Sequence, residues 1–385
     1  MTDLAVSQIP VPVSVPIVPQ HRSARVVYSD QPSDFRKLVW RGALLELITA
    51  GFYRFWLATY MRRHLWSHTS VEGDTLEYTG VAKELLIGFL IALAILVPIY
   101  LAYFLLGIEA ERYQAFASVP LFLFLYAFFQ FAIFRARRYR ASRTIWRGVR
   151  FWMTGSGWLY SLRSCLWGVL VLITLGIAYP WREAALERYK MNHTHYGDLP
   201  GRFEGTGWGL FKKVWWMGIL ILPIITFPFI YPAYKAASWQ WWVAGARIGE
   251  VRFESSLRTG GLMGVYWACF GFVMLISTIG AGIIGALGSA VAYLIAGPDF
   301  DAAQMEDLVT THVYAVYAFF ILSYLFMALA IGAFMRIYLV RGVWEKIANS
   351  STVHNLEAAD NVMAKGGAAN ALGEGFTNDL DIGGF

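Results

Sequence analysis

The side chains in this sequence best suited to chemistry are histidines and charges set inside apolar stretches. His64 and His68 stand four apart, one helical turn, and His193 and His195 flank Thr194. Imidazoles so spaced could hold zinc, but a closed site needs about four ligands. No cysteine is near, so Glu72, Asp74 and Asp198 would have to complete the set. Imidazole also titrates near neutrality and could sense pH. The plainer account is polar loop histidines, and we assign neither a metal nor a cofactor. Glu46 and Arg54 lie eight apart in one moderately apolar stretch, which would put them on one helical face two turns apart. Charges buried in a bilayer are costly and often functional, whereas at the interface they are simply solvated. Arg63 and Arg188 join them as candidate functional polar residues, with His68 and His193. Trp56 and Trp181 close apolar runs, where tryptophan favours the headgroup level.

Gly280-Ala-Gly-Ile-Ile-Gly285 has the letters of a dinucleotide fingerprint, but it lies inside an apolar run with no preceding strand. Small residues four apart suit close helix packing in lipid instead. Asp299, Asp301, Glu306 and Asp307 lack the spacing of a calcium loop and read as a solvated acidic turn. There is no P-loop, nucleophile elbow, zincin helix or kinase signature, so no catalytic residue is assigned.

The elements that would position these residues are mostly apolar helices. Of 385 residues, 57% are hydrophobic and only 15% charged, where a soluble domain carries roughly a quarter charged. Leu85 to Leu106 is long enough to cross a bilayer. Lys and Arg exceed Asp and Glu by six, a surplus that sets topology and meets anionic headgroups. It does not suggest nucleic acid, because no soluble basic domain could hold it. Cys165 and Cys269 make no disulfide framework. We expect an all-α polytopic membrane protein with about seven or eight transmembrane helices and short strands in the membrane-surface loops. Residues 1–33 are Pro-rich and read as a flexible tail, although Ala24 to Tyr28 could form a short strand. Residues 34–352 form the transmembrane domain, and 353–385 a second flexible tail. Arg135 to Arg150 carries seven arginines and should be cytoplasmic with the C-terminus.

The chain also repeats itself. A shift of 125 overlays Thr49, Gly51, Trp56, Arg63, His68, Thr69, Tyr78 and Gly80 on Thr174, Gly176, Trp181, Arg188, His193, Thr194, Phe203 and Gly205. A shift of 75 overlays Thr69 and Gly73 on Thr144 and Gly148, and ARIGEVRF and RGVWEKIANSST resemble the same loop. Parity conflicts with this symmetry. If each apolar run crosses once, the loops after segments one and four face opposite sides. Repeat equivalence prefers one side, which requires segment four or five to turn back. The strands containing Tyr78, Phe151, Phe203 and Phe253 should then pair into one small sheet, since a lone strand leaves its backbone unpaired.

This recurring pattern resembles the YjgN-like family of bacterial inner-membrane proteins. It comprises an apolar helix, T-x-G-x-x-x-x-W, an Arg-containing turn, then Thr, strand and Gly, over about Val26 to Thr352. The Trp-rich loop from Ser238 to Gly245 departs from it. The family is a domain of unknown function, so the resemblance implies a multi-pass membrane protein and supplies no reaction. Internal repetition with Pro- and Gly-broken helices suits a transporter- or channel-like bundle. The alternative is a non-enzymatic scaffold or lipid-associated assembly protein, with membrane lipid as partner and protein partners unassigned.

Overall fold

The computed structural model describes residues 22–111, 118–221, 227–296, 311 and 313–369. Asp299, Asp301, Glu306, Asp307, Pro223 and Thr226 lie outside them. After strand β1 (Ser23–Tyr28), two helices and a β-hairpin follow one another four times. The first set is α1 (Pro32–Ile48), α2 (Arg54–Ser67), β2 (Thr69–Val71) and β3 (Asp74–Tyr78). The second is α3 (Ala82–Glu111), α4 (Ser118–Arg143), β4 (Thr144–Trp146) and β5 (Val149–Met153). The third is α5 (Gly157–Ile173), α6 (Tyr179–Asn192), β6 (Thr194–Tyr196) and β7 (Leu199–Phe203). The fourth is α7 (Gly207–Ile221), α8 (Phe227–Gly245), β8 (Ala246–Ile248) and β9 (Val251–Ser255). Then come α9 (Thr259–Ala296) and α10 (Val313–Met335). A π-helical turn, Arg336–Val340, joins α10 to α11 (Arg341–Asn349), and β10 (Ser351–His354) ends the series.

The ten strands of the described residues pair antiparallel into one closed barrel, in which β1 sits between β2 and β10. The all-α expectation is therefore overturned. The sequence could not display the barrel, because each strand has three to six residues and its long-range partner lies in a different set. The pairing is staggered. In β3, Thr75 and Asp74 face β2 while Leu76, Glu77 and Tyr78 face β4. In β5, Val149 and Arg150 face β4 while Phe151 to Met153 face β6. Such stagger tilts strands and lets a short sheet close. At the β4–β5 turn, Arg147 and Gly148 both hold positive φ, the tight geometry a two-residue hairpin needs.

The barrel lumen is filled. Val71, Trp146, Tyr196, Val251 and Val353 are buried together, with Leu76, Phe151 and Phe253 packed against them. A 3₁₀ turn after β10 adds Leu356 and Ala359 to the same cluster. Leu356 donates its N–H to the Arg22 carbonyl, which locks the C-terminal turn to the start of β1.

Four helices among the described residues are long and apolar enough to cross a membrane: Ala82–Leu106, Val119–Arg143, Thr259–Val291 and Val313–Asn349. This corrects the count of seven or eight. Segments one and four are each broken into two short helices, so neither forms a single helix of spanning length. α1 ends at Ile48 and α2 begins at Arg54; α5 ends at Ile173 and α6 begins at Tyr179. Both turns use one threonine. Thr49 Oγ1 donates to the Leu45 carbonyl and accepts from Tyr53 N. Thr174 Oγ1 donates to the Leu170 carbonyl and accepts from Ala178 N. Their tips are apolar, with Ile48 79% and Leu175 92% exposed. Since every helix pair returns to the barrel, every β-hairpin lies at one end of the helices.

Candidate binding chamber

Where the helices meet the barrel, a cavity of about 640 Å³ opens on the barrel axis. Its walls come from α2, α4, the end of α6, α8, and the α10–α11 segment, and its floor is Leu76, Phe151, Ile248 and Phe253 of the barrel core. Among the described residues five arginines line it, Arg54, Arg62, Arg137, Arg140 and Arg336, and no carboxylate does. Between them stand Trp66, Trp239, Trp242 and Trp344 with Met61, Met191 and Met335.

The indoles are held in place. Trp66 Nε1 donates to Thr144 Oγ1 at 3.0 Å, and Trp344 Nε1 donates to Thr69 Oγ1 at 2.9 Å. Each bond joins neighbouring sets, and the two rings lie 4.5 Å apart. The hydroxyls have a second task. Thr69, Thr144, Thr194 and Ser351 each donate to the carbonyl four residues back, those of Leu65, Arg140, Lys190 and Ile347. They thus satisfy the orphan carbonyls at the helix ends.

Arginine inside such a wall needs counter-charge. Behind the lining, Arg137 donates to Glu187 at 2.9 Å and its guanidinium lies over the Trp242 ring. Trp242 Nε1 donates to the same carboxylate at 2.9 Å, and Lys190 pairs with it too. Burial alone would push the Glu187 carboxyl up, but the charges of Lys190 and Arg137 prevail and hold it at about 2. Arg336 is gripped by Glu46. Arg54 lies over the Phe89 and Phe55 rings, at 4.6 and 4.8 Å, and Arg62 donates to Tyr78 Oη at 3.1 Å.

Of the candidates named from sequence, the chamber brings together Arg54 and, through Arg336, Glu46. The break between α1 and α2 removes them from one helical face. Arg63 and Arg188 face away and are exposed. Arg63 donates to the Gly80 carbonyl at 3.3 Å and Arg188 to the Gly205 carbonyl at 3.2 Å. His68 and His193 use Nδ1 on the carbonyls of His64 and Tyr189, both at 2.7 Å. His64 and His68 stack at 4.1 Å, and among the described residues no three metal-ligating side chains converge. Trp56 stacks on Tyr53, and Trp181 packs against Trp208 and Phe211. Gly280 to Gly285 lies within α9, where Gly280 meets Met327.

Sequence reasoning passed over Arg62, Arg137, Arg140, Arg336 and Glu187. A signal existed. Arg62 and Arg137 each stand seven residues before the threonine that the 75-residue shift overlays, and Glu187, Trp239 and Trp344 stand seven before Thr194, Ala246 and Ser351. That register contains Arg62, Arg137 and Glu187 and leaves out Arg140 and Arg336.

The architecture is a small closed barrel carrying four helices long and apolar enough to cross a membrane among the described residues. The chain belongs to the family described as a bacterial protein of unknown function (DUF898), matched over residues 23–234 and 213–365. No curated protein and no solved structure matches it.

Proposed function

We propose that this is a multi-pass inner-membrane protein, built on an internal repeat, that holds a membrane-derived ligand in the axial chamber. It works as a carrier or transporter. The chamber supports this reading: a concave, largely apolar space of about 640 Å³ with a few strongly polar groups has the size and character of a ligand site. A channel along the barrel axis is disfavoured, because the lumen is packed with side chains and the C-terminal turn adds to that packing. The repeat is supported by pairs 125 residues apart making the same contacts, Arg63–Gly80 with Arg188–Gly205 and Thr49–Leu45 with Thr174–Leu170.

The seven arginines from Arg135 to Arg150 occupy the end of α4 and the β4–β5 hairpin, and by the positive-inside rule they support a barrel on the cytoplasmic side. Anionic headgroups are the expected lipid neighbours of this face, and nucleic acid is not an expected partner. The test is a structure of the full chain in lipid nanodiscs. Ordered density among the five arginines supports the reading, and a chamber holding only water overturns it.

One observation favours the alternative of a membrane scaffold. None of the most apolar window of α9 is buried within the chain, so this face can meet another protein as well as lipid. Cross-linking from α9 to a specific protein in native membranes would favour the scaffold.

A further inference from the structure

We propose that the chamber's ligand is an amphipathic anion, a lipid whose acidic head lies among Arg62, Arg137 and Arg140 and whose chain runs along Met61, Met335 and Val340. This rests on the reading that the chamber holds a ligand, and goes further by fixing its chemistry.

Charge comes first. Among the described residues the lining carries five guanidinium groups and no carboxylate; Glu187 and Glu46, behind it, pair with Arg137 and Arg336 and leave the recess net positive, and a low-dielectric recess of one net sign concentrates the opposite sign. Guanidinium is a planar fork that meets phosphate or carboxylate oxygens two at a time. Arg62 and Arg137 stand at the same point of successive sets, seven residues before Thr69 and Thr144, and Arg140 follows Arg137 by three. They therefore face a common level of the axis.

The rest of the lining excludes most soluble anions. It is mainly aliphatic, aromatic and thioether, and methionine walls adapt to irregular apolar shapes. Hydroxyl-rich or heterocyclic ligands need polar partners along their edges. The hydroxyls on offer, Thr144, Thr194 and Ser351, already donate to the carbonyls of Arg140, Lys190 and Ile347. The indole N–H groups of Trp66 and Trp344 are likewise spent on threonines. What these residues have left to present is apolar surface. The walls α4 and α10–α11 belong to helices long and apolar enough to span the membrane, so a lipid can enter without leaving an apolar phase.

The test is native mass spectrometry of the delipidated full chain in neutral detergent. The probes are phosphatidylglycerol, phosphatidylcholine of the same chains, palmitate and inorganic phosphate. The expected result is one phosphatidylglycerol per chain, bound at least tenfold tighter than phosphatidylcholine. Arg62→Gln and Arg140→Gln should each weaken it about tenfold, Arg140→Lys should weaken it less than Arg140→Gln because it keeps the charge and loses only the fork, and Ala58→Trp should block it by filling space without changing charge. A melting curve checks that each variant is folded, and Ala58→Trp decides the matter if the arginine variants unfold. If phosphatidylcholine binds as tightly and Ala58→Trp still blocks it, the anion is wrong and the chamber reading stands. If inorganic phosphate displaces the lipid at equal concentration, the ligand is a free anion and the lipid is wrong. If no probe binds, or Ala58→Trp changes nothing, both readings fail.

Discussion

Glu46 accepts both terminal nitrogens of Arg336, at 2.5 and 3.2 Å, across 290 positions of sequence. The carboxylate is 7% exposed and belongs to α1; the arginine opens the turn between α10 and α11 and lines the chamber. The pair fastens the first helix to the last. Removing one partner of a buried pair leaves a stranded charge and costs about 3–5 kcal/mol. Glu46→Ala should therefore lower the melting temperature of the detergent-solubilised protein sharply. Glu46→Leu with Arg336→Leu together should recover much of that loss, and a double variant no better than Glu46→Ala would refute the pairing.

Glu46 also marks how far the sequence could be read. Its charge in an apolar stretch was visible, but its partner was not, because nothing local links position 46 to 336. The strands were legible as fragments. The motif around Tyr78 and Phe203 announced a strand followed by glycine, and in the structure the Tyr78 and Phe203 rings occupy the space a Cβ at Gly80 or Gly205 would need. Barrel closure was illegible, since it depends on β1 near the N-terminus meeting β10 near the C-terminus. The half-length hairpins were legible only as a parity conflict. Thr49 and Thr174 match at the shift of 125, but the role of their hydroxyls in turning the chain depends on backbone geometry that the sequence does not display.

Acid should weaken the fold in two stages. Asp30 is buried and accepts from Arg341, at 3.0 and 2.5 Å, with His64 Nε2 at 3.3 Å. Burial would raise its carboxyl, but hydrogen bonds led by Arg341 outweigh it and hold it at about 2, below the ordinary 3.8. Its contribution is present above the ordinary value and is lost as pH falls towards 2. His64 is pushed below 6.5 by burial, despite Asp30. The unfolded chain then takes up the proton first, so stability begins to fall as pH drops below 6.5. Melting curves against pH should show both stages. Asp30→Asn should remove the lower one and His64→Gln the upper, and unchanged profiles would contradict the assignment.

Glu183 should act in the opposite sense. It pairs with Arg182 at 2.6 Å, and Arg182 also reaches Tyr126 Oη and Ser164 Oγ. Burial pushes the Glu183 carboxyl up, against the attraction of Arg182 and Lys190. A raised folded value means that its stabilisation is complete below the ordinary 4.5 and is lost as pH rises through the folded value. Glu183→Gln should then flatten the melting profile over that range and leave the neutral-pH protein no less stable. A large loss at neutral pH would instead mean that the ion pair with Arg182 outweighs the cost of burying the carboxylate.

The hairpin turns carry their own prediction. Leu175 and Gly176 hold φ of 48° and 93°, matching Ala50 at 48° and Gly51 at 88°. A side chain at Gly176 meets no neighbour within 4 Å, so the cost of substitution there is backbone strain alone. Gly176→Val should destabilise by about 1–3 kcal/mol. Thr174→Val, which loses the bonds to Leu170 and Ala178, should cost about 0.5–2 kcal/mol. Leu175→Gly relieves a positive φ and should cost less than either. If Leu175→Gly is the most damaging of the three, the apolar tip matters more than the turn.

Single cysteines test whether all the hairpins face one side. Ser67, Asn192 and Lys346 are exposed at the barrel ends of α2, α6 and α11. Ser142, at the barrel end of α4, is unsuitable for labelling, because it is 1% exposed and hydrogen-bonded to Tyr139 and Ala369. With Cys165 and Cys269 changed to serine, all three positions should label from the same face of intact inner-membrane vesicles, and a cysteine at Ala302 from the other. If each apolar segment crossed once, Ser67 and Asn192 would label from opposite faces. That outcome is incompatible with β2 and β6 belonging to one barrel, since their strands could not meet across a bilayer. Labelling of all three from the cytoplasmic face would also fix the chamber's floor on that side, and with it the leaflet from which its ligand is drawn.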